Sequence, residues 1–252
     1  MEDARQLKPW EELSEDEKQE IRKSWEVKLP DKFDVFCNDD WKREYDINVP
    51  GNLYVNGKLL SINVEKSSAI YVEEDFICES YVECAGLHVG GSCIIDGALD
   101  SNKKVEIYGD LIVDAVEVFS STLTVHSQCT VNGDISCTSI YVCGNLSVYG
   151  DVTVLEAGDI FVGNNFTVRG GKIVIQADAF PYGGDITVGN NFSVEGNLDC
   201  YDAYILGNAE FFDGINCCDM DIYGSFYCEG SFYSNRSTIR IGPSAFVSLG
   251  NL

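Results

Sequence analysis

Basic side chains are what this chain has least of. No Lys or Arg stands between Lys104 and Arg169, nor between Lys172 and Arg236. The whole chain carries 17 Lys and Arg against 41 Asp and Glu, a formal net charge of −24. Such a surface cannot neutralise a phosphate backbone, which excludes direct nucleic-acid binding. Histidine is equally sparse: His88 and His126 stand two repeats apart in different outward columns and read as surface polar groups, not as a catalytic pair. No apolar run is long enough to cross a bilayer and no basic-apolar leader opens the chain, so a soluble cytoplasmic protein is expected.

Other absences remove whole classes of chemistry. The eleven cysteines include no paired CxxC set with zinc spacing. Gly170-Gly171 and Gly183-Gly184 are followed by no Lys-Ser/Thr, so they are corners and not phosphate loops. The strict six-residue signature of hexapeptide acyltransferases is not kept, and the glycine-aspartate calcium nonapeptide is missing. A polysaccharide lyase needs clustered basic groups, which are not there. The expectation is a non-enzyme with no cofactor, no metal and no catalytic residue.

What the chain does have is a repeat. Ile140 to Gly150 reads IYVCGNLSVYG, and the same plan returns as INVPGNLYVNG from Ile47, LHVGGSCIIDG from Leu87, IFVGNNFTVRG from Ile160 and ITVGNNFSVEG from Ile186. Repeat starts fall at Ile47, Ile70, Leu87, Val105, Leu123, Ile140, Ile160, Ile186, Ala203, Met220 and Ile239. Two residues after each start stands a β-branched Val or Ile, from Val49 and Val72 to Ile241, as suits a strand stacked on copies of itself. Apolar columns six and eight residues on (Leu53, Phe76, Leu111, Phe166; Val55, Val113, Val168) give a second strand. Leu59, Val82, Leu99, Ile135 and Val152 start a third. Self-similarity at this period predicts a three-sided parallel β-helix over residues 47–252, of about eleven coils and about 50 Å length at about 4.8 Å per coil.

The corners have their own columns. Gly51, Gly91, Gly109, Gly144, Gly207 and Gly224, with Asn164 and Asn190 substituting, are residue types that tolerate positive φ. Beside them runs an unbroken polar column, Asn52, Asp75, Ser92, Asp110, Gln128, Asn145, Asn165, Asn191, Asn208, Ser225 and Ser244, expected to bond turn backbone and its own neighbours. Most cysteines, including Cys78, Cys84, Cys93, Cys129, Cys137, Cys200, Cys217 and Cys228, fall on inward columns and read as small core hydrophobes.

Residues 1–46 stand outside this repeat and are expected to form an N-terminal α-helical cap or arm. Ser14 to Glu17 fits a capping box, and Pro30 ends the helix. Tyr54, Ile77, Ile94 and Ile112 make an outward apolar stripe for this segment, or a partner, to cover.

Candidate partner-binding residues are the outward aromatics Tyr108, Tyr141, Phe161, Tyr204 and Tyr223, with Tyr71 in the same set, and the acids Asp114, Asp151, Glu195 and Asp213. Phe180 and Tyr182 join them from a loop inserted near Gln176 to Gly184. The last coil, with Ile239, Ile241, Phe246, Val247, Leu249 and Leu252, presents an edge expected to pair with a second copy in a homodimer.

The pattern apolar-x-apolar-x-G-[ND]-L-x-V-x-G in coils of 17 to 18 residues resembles the bactofilin polymer-forming domain over about residues 47–252. That resemblance implies a right-handed three-sided β-helix that self-associates through its ends. In function the chain is also similar to pentapeptide-repeat proteins, acidic solenoids that dimerise at one end and occupy the DNA-binding saddle of topoisomerases, although their five-residue repeat is absent. Two expectations result: a binder of a basic protein surface, in its sharpest form a nucleic-acid mimic such as a phage-borne inhibitor of a defence nuclease, or a self-assembling scaffold of bactofilin type.

Overall fold

A computed structural model of the chain describes residues 34–61, 68–176, 184–233, 238–242 and 247–249. These fold as an all-β parallel solenoid of about ten turns, and no helix occurs among them. Each turn contributes one short strand to each of three ladders. The first ladder runs in register through Ile47, Ile70, Leu87, Val105, Leu123, Ile140, Ile160, Ile186, Ala203, Met220 and Ile239. These are the residues that start the sequence repeat. The second ladder carries Leu53, Phe76, Cys93, Leu111, Cys129, Leu146, Phe166, Phe192, Ala209 and Phe226. The third carries Leu59, Val82, Leu99, Val116, Ile135, Val152, Ile173, Leu198 and Ile215.

Period two within each three-residue strand sends its first and third side chains inward and the middle one out. The inward set is almost free of solvent contact, and burying each large apolar side chain is worth about 1.5–3 kcal/mol. Phe166 stacks on Phe192 at 5.0 Å between ring centroids, and Phe192 meets Phe211 edge-on at 5.4 Å. Cys78, Cys84, Cys93, Cys129, Cys137, Cys200, Cys217 and Cys228 lie in this core, and all eleven cysteines are free. Burial pushes the thiols of Cys84 and Cys137 up to about 12, so neither offers a thiolate near neutral pH.

Two features differ from the sequence expectation. The ladders begin inside the segment placed outside the repeat: Val35–Cys37 pairs with Leu53–Val55, and Trp41–Arg43 with Leu59–Ser61. The connections beside these strands, Asn38–Asp40 and Glu44–Asp46, hold no glycine, and the pattern missed them. The expected helix around residues 14–25 lies outside the described residues.

The corner glycines also serve a different purpose. Among the described glycines only Gly51, Gly57 and Gly170 have positive φ. A Cβ at Gly109 would stand 2.6 Å from the backbone of Gly91 and Ser92 in the turn below. Close approach of stacked turns, not left-handed backbone, excludes a side chain there. The outward apolar stripe is shielded from solvent, as such a stripe is expected to be: Ile77 and Ile112 point away from the core yet are only 9% and 5% exposed. Phe36 extends the stripe, its ring stacked on Tyr54 at 4.8 Å.

The polar corner column is a continuous relay. Asn52 Oδ1 accepts from Asp75 N–H, Asp75 Oδ1 from Ser92 N–H, and Ser92 Oγ from Asp110 N–H. Asp110 Oδ1 accepts from Gln128 N–H, and Gln128 Oε1 from the Asn145 amide. Asn145, Asn165, Asn191 and Asn208 continue it, each oxygen accepting the backbone N–H of the column residue in the next turn as far as Ser225. Corner amides that leave the strand ladders thus find partners on the turn beneath.

Candidate interaction surface

The outward side of the first ladder is the most distinctive surface. Its middle positions are Asn48, Tyr71, His88, Glu106, Thr124, Tyr141, Phe161, Thr187, Tyr204, Asp221 and Arg240, in register from turn to turn. The column beside it, one residue past each inward Val or Ile, holds Tyr108, His126, Leu206 and Tyr223. Tyr71, Tyr108, Tyr141, Phe161, Tyr204 and Tyr223 are all exposed. They form three groups. Tyr141 and Phe161 are neighbours on adjacent turns. Thr187 separates them from Tyr204 and Tyr223, whose rings meet edge-on at 5.3 Å.

The third group contains both histidines. Ring centroids step from Tyr71 to His88 (6.1 Å), to Tyr108 (5.4 Å) and to His126 (4.4 Å, stacked). Glu106 sits among them: Oε2 lies 3.6 Å from His88 Nδ1, and Oε1 lies 3.5 Å from His126 Nε2 and 2.9 Å from Lys104 Nζ. The Lys104 ammonium, followed by His126 and His88, holds the Glu106 carboxyl below its ordinary range. Sequence reading set the two histidines apart because they occupy different columns. Glu106 stands in the His88 column beside the His126 column and joins the two. The signal was there in the spacing of 18 and 20 residues from Glu106, one turn in each direction.

The candidate acids stand elsewhere. Asp114, Asp151, Glu195 and Asp213 follow strands of the second ladder, at the corner on the far side of that ladder from the aromatics. Each has a task within the fold. Asp114 Oδ1 accepts from the Asn132 amide at 3.1 Å, and Asp151 Oδ1 from Lys172 N–H at 3.0 Å. Glu195 Oε2 accepts from Gly170 N–H at 2.7 Å, and Asp213 Oδ1 from Gly214 N–H at 2.8 Å.

The carboxylates that do border the aromatic face are Asp159, Asp185, Asp202 and Asp219, each one residue before an inward first-ladder residue (Ile160, Ile186, Ala203 and Met220). Asp159 Oδ1 accepts from Asp185 N–H, Asp202 Oδ1 from Asp219 N–H and Asp219 Oδ1 from Thr238 N–H. Crowding by the fold, then the charges of Asp202 and Asp159, push the Asp185 carboxyl up. Phe180 and Tyr182, like Phe246 and Leu252, lie outside the described residues. Ile239 and Ile241 sit in the last described strand of the first ladder, and Val247 and Leu249 in that of the second.

Charge density completes the surface. Ten Asp and Glu and no base lie between Lys172 and Arg236. The strands from Ile173–Ile175 to Phe232–Tyr233 make a little over three turns. At about 4.8 Å per turn, that is about one negative charge per 1.6 Å of axis, against about one per 1.7 Å for duplex DNA. No group of three or more His, Cys, Asp or Glu among the described residues is arranged to hold a metal ion.

No protein-family model matches the chain, and no curated protein matches it. Among solved structures, the C-terminal domain of tapirin from Caldicellulosiruptor kristjanssonii is similar at a TM-score of 0.32 and 14% identity, over 84% of this chain and 55% of that one. This chain spans about half the length of that structure, and a similarity of this size carries no statement about activity.

Proposed function

We propose that this solenoid is a non-catalytic binding protein that engages a basic protein surface, with nucleic-acid mimicry as its sharpest form. The observation that carries this reading is the base-free stretch from 173 to 235, whose axial charge density, about one per 1.6 Å, is close to the duplex's one per about 1.7 Å. A rod of carboxylates offers a basic groove the charge it would meet on DNA or RNA, and complementary charge speeds encounter. The exposed rings of Tyr204 and Tyr223, set beside Asp202, Asp219 and Asp221, supply the apolar contacts that charge alone lacks. An inhibitor of a nucleic-acid enzyme, such as a phage-borne blocker of a bacterial defence nuclease, fits this chemistry.

The test is capture of bacterial lysate proteins on the immobilised rod, followed by elution with duplex DNA and, separately, with salt. Mimicry expects nucleic-acid-binding proteins that DNA competes off at low salt. Bound proteins indifferent to DNA, or none at all, would refute it.

A second reading, the bactofilin-like scaffold, is favoured by the ladder ends. Among the described residues, Val247–Leu249 and Ile239–Ile241 each pair with one neighbouring strand only. Unpaired strand edges template further pairing. End-to-end contact there gives a homodimer or a filament, which light scattering and negative-stain microscopy tell apart.

A further inference from the structure

At the corner that precedes the first ladder, Asp46, Ser139, Asp159, Asp202 and Asp219 each accept a backbone N–H from the turn above. Between Asp46 and Ser139 the same position holds Ala69, Gly86, Lys104 and Thr122, and Ala69 and Gly86 are paired neighbours on adjacent turns. With two small residues in succession, the surface sinks into a cleft of about 290 Å³ lined by Asp46, Tyr71, His88, Lys103, Lys104 and Glu106 over that floor.

We infer that this cleft is a binding site for a small ligand that joins an anionic group to a planar ring, the chemistry of a mononucleotide. The ammonium of Lys103 is exposed and has no ion-pair partner among the described residues, which leaves it for a phosphate. Lys104 is already held by Glu106 at 2.9 Å and contributes positive potential instead. The Tyr71 and His88 rings, tilted 44° to one another, form a wall on which a base stacks. Glu106 and Asp46 accept hydrogen bonds from ribose hydroxyls or an exocyclic amine. The volume lies at the small end of ligand pockets and suits one nucleotide, not a strand. Most of the chain's acids stand on later turns, and charges beyond about 8 Å are largely screened at physiological salt, so the net charge does not forbid a single phosphate.

The experiment uses the full chain and adenosine monophosphate, with adenosine and inorganic phosphate as separate probes, followed by calorimetry and by the histidine ring resonances. The expected result is saturable binding of adenosine monophosphate that shifts His88, with each half-probe at least tenfold weaker. Lys103→Ala, at an exposed position, weakens binding tenfold or more. Gly86→Ala places a Cβ 3.2 Å from the Lys104 carbonyl oxygen on the cleft floor and also weakens it. Absence of saturation at millimolar ligand overturns the inference, as does equal binding by Lys103→Ala. Phosphate alone binding as tightly as the nucleotide overturns the role of the rings. None of these outcomes bears on the basic-partner reading, which concerns later turns.

Discussion

Asn165 is the sharpest place to test how the corners are held. Its side chain sits in mid-relay. Nδ2 donates to Asn145 Oδ1 at 3.0 Å, and Oδ1 accepts from both the backbone N–H and the side-chain amide of Asn191, at 3.2 and 3.1 Å. Asn165→Ala removes these three hydrogen bonds and leaves the Asn191 N–H without its acceptor. A hydrogen bond contributes about 0.5–1.5 kcal/mol net, and the site is half-buried, so the expected cost is about 2 kcal/mol. Asn165→Asp keeps the acceptor for Asn191 N–H and loses only the donated bond to Asn145, as Asp75 and Asp110 do elsewhere in the column. It should cost about 1 kcal/mol. Urea titration reads the difference provided the slope is unchanged. Because a solenoid can open in parts, hydrogen exchange at the Asn191 amide is the more direct assay. It should accelerate in Asn165→Ala and stay protected in Asn165→Asp. A cost under about 0.5 kcal/mol for the alanine variant, or equal exchange in both, would refute the relay as a source of stability.

Ala157 has a φ of 56°, left-handed backbone that costs a non-glycine residue about 1–2 kcal/mol, so Ala157→Gly should raise the melting temperature. Gly163→Ala should do the reverse by more than about 2 kcal/mol, because its Cβ would stand 2.2 Å from the Cys143 carbonyl oxygen in the adjacent turn. Stability should also rise as pH falls toward the ordinary carboxyl value of about 4. Asp185 and Asp199 have raised carboxyls in the fold, so their charged forms oppose folding, and protonation relieves this. Glu106 works oppositely: its lowered carboxyl contributes stability above the ordinary value that is lost as pH falls through the folded one, so the gain reverses in stronger acid. A melting temperature that falls steadily as pH approaches about 4 would contradict this.

The ladders were legible in the sequence because each turn solves the same problem with the same residues. The columns from Ile47 to Ile239 and from Asn52 to Ser225 are register statements as they stand, since a strand of period two stacked on its own copies leaves no other pairing. Cysteines on inward columns read correctly as core for the same reason. Where the pattern is faint the reading stopped short. Val35–Cys37 and Trp41–Arg43 join the ladders without a corner glycine to announce them. The corner glycines were recognised, but their reason was not, because closeness to the turn below is a distance between residues 17 to 26 apart that composition does not show.

The sequence by itself determined what each turn is made of: which side chains face the core, which corners need small residues, and how much negative charge each length of rod carries. Only the tertiary structure decided which outward residues share a place. Winding the chain sets the aromatic column beside Asp159, Asp185, Asp202 and Asp219, and sets Asp114, Asp151, Glu195 and Asp213 behind another ladder. It also brings His88 and His126 onto one carboxylate. The physical reason is that inward positions are fixed by burial, which pattern records. Neighbourhood on the surface depends instead on where each corner turns, and a repeat written in one dimension does not contain that angle.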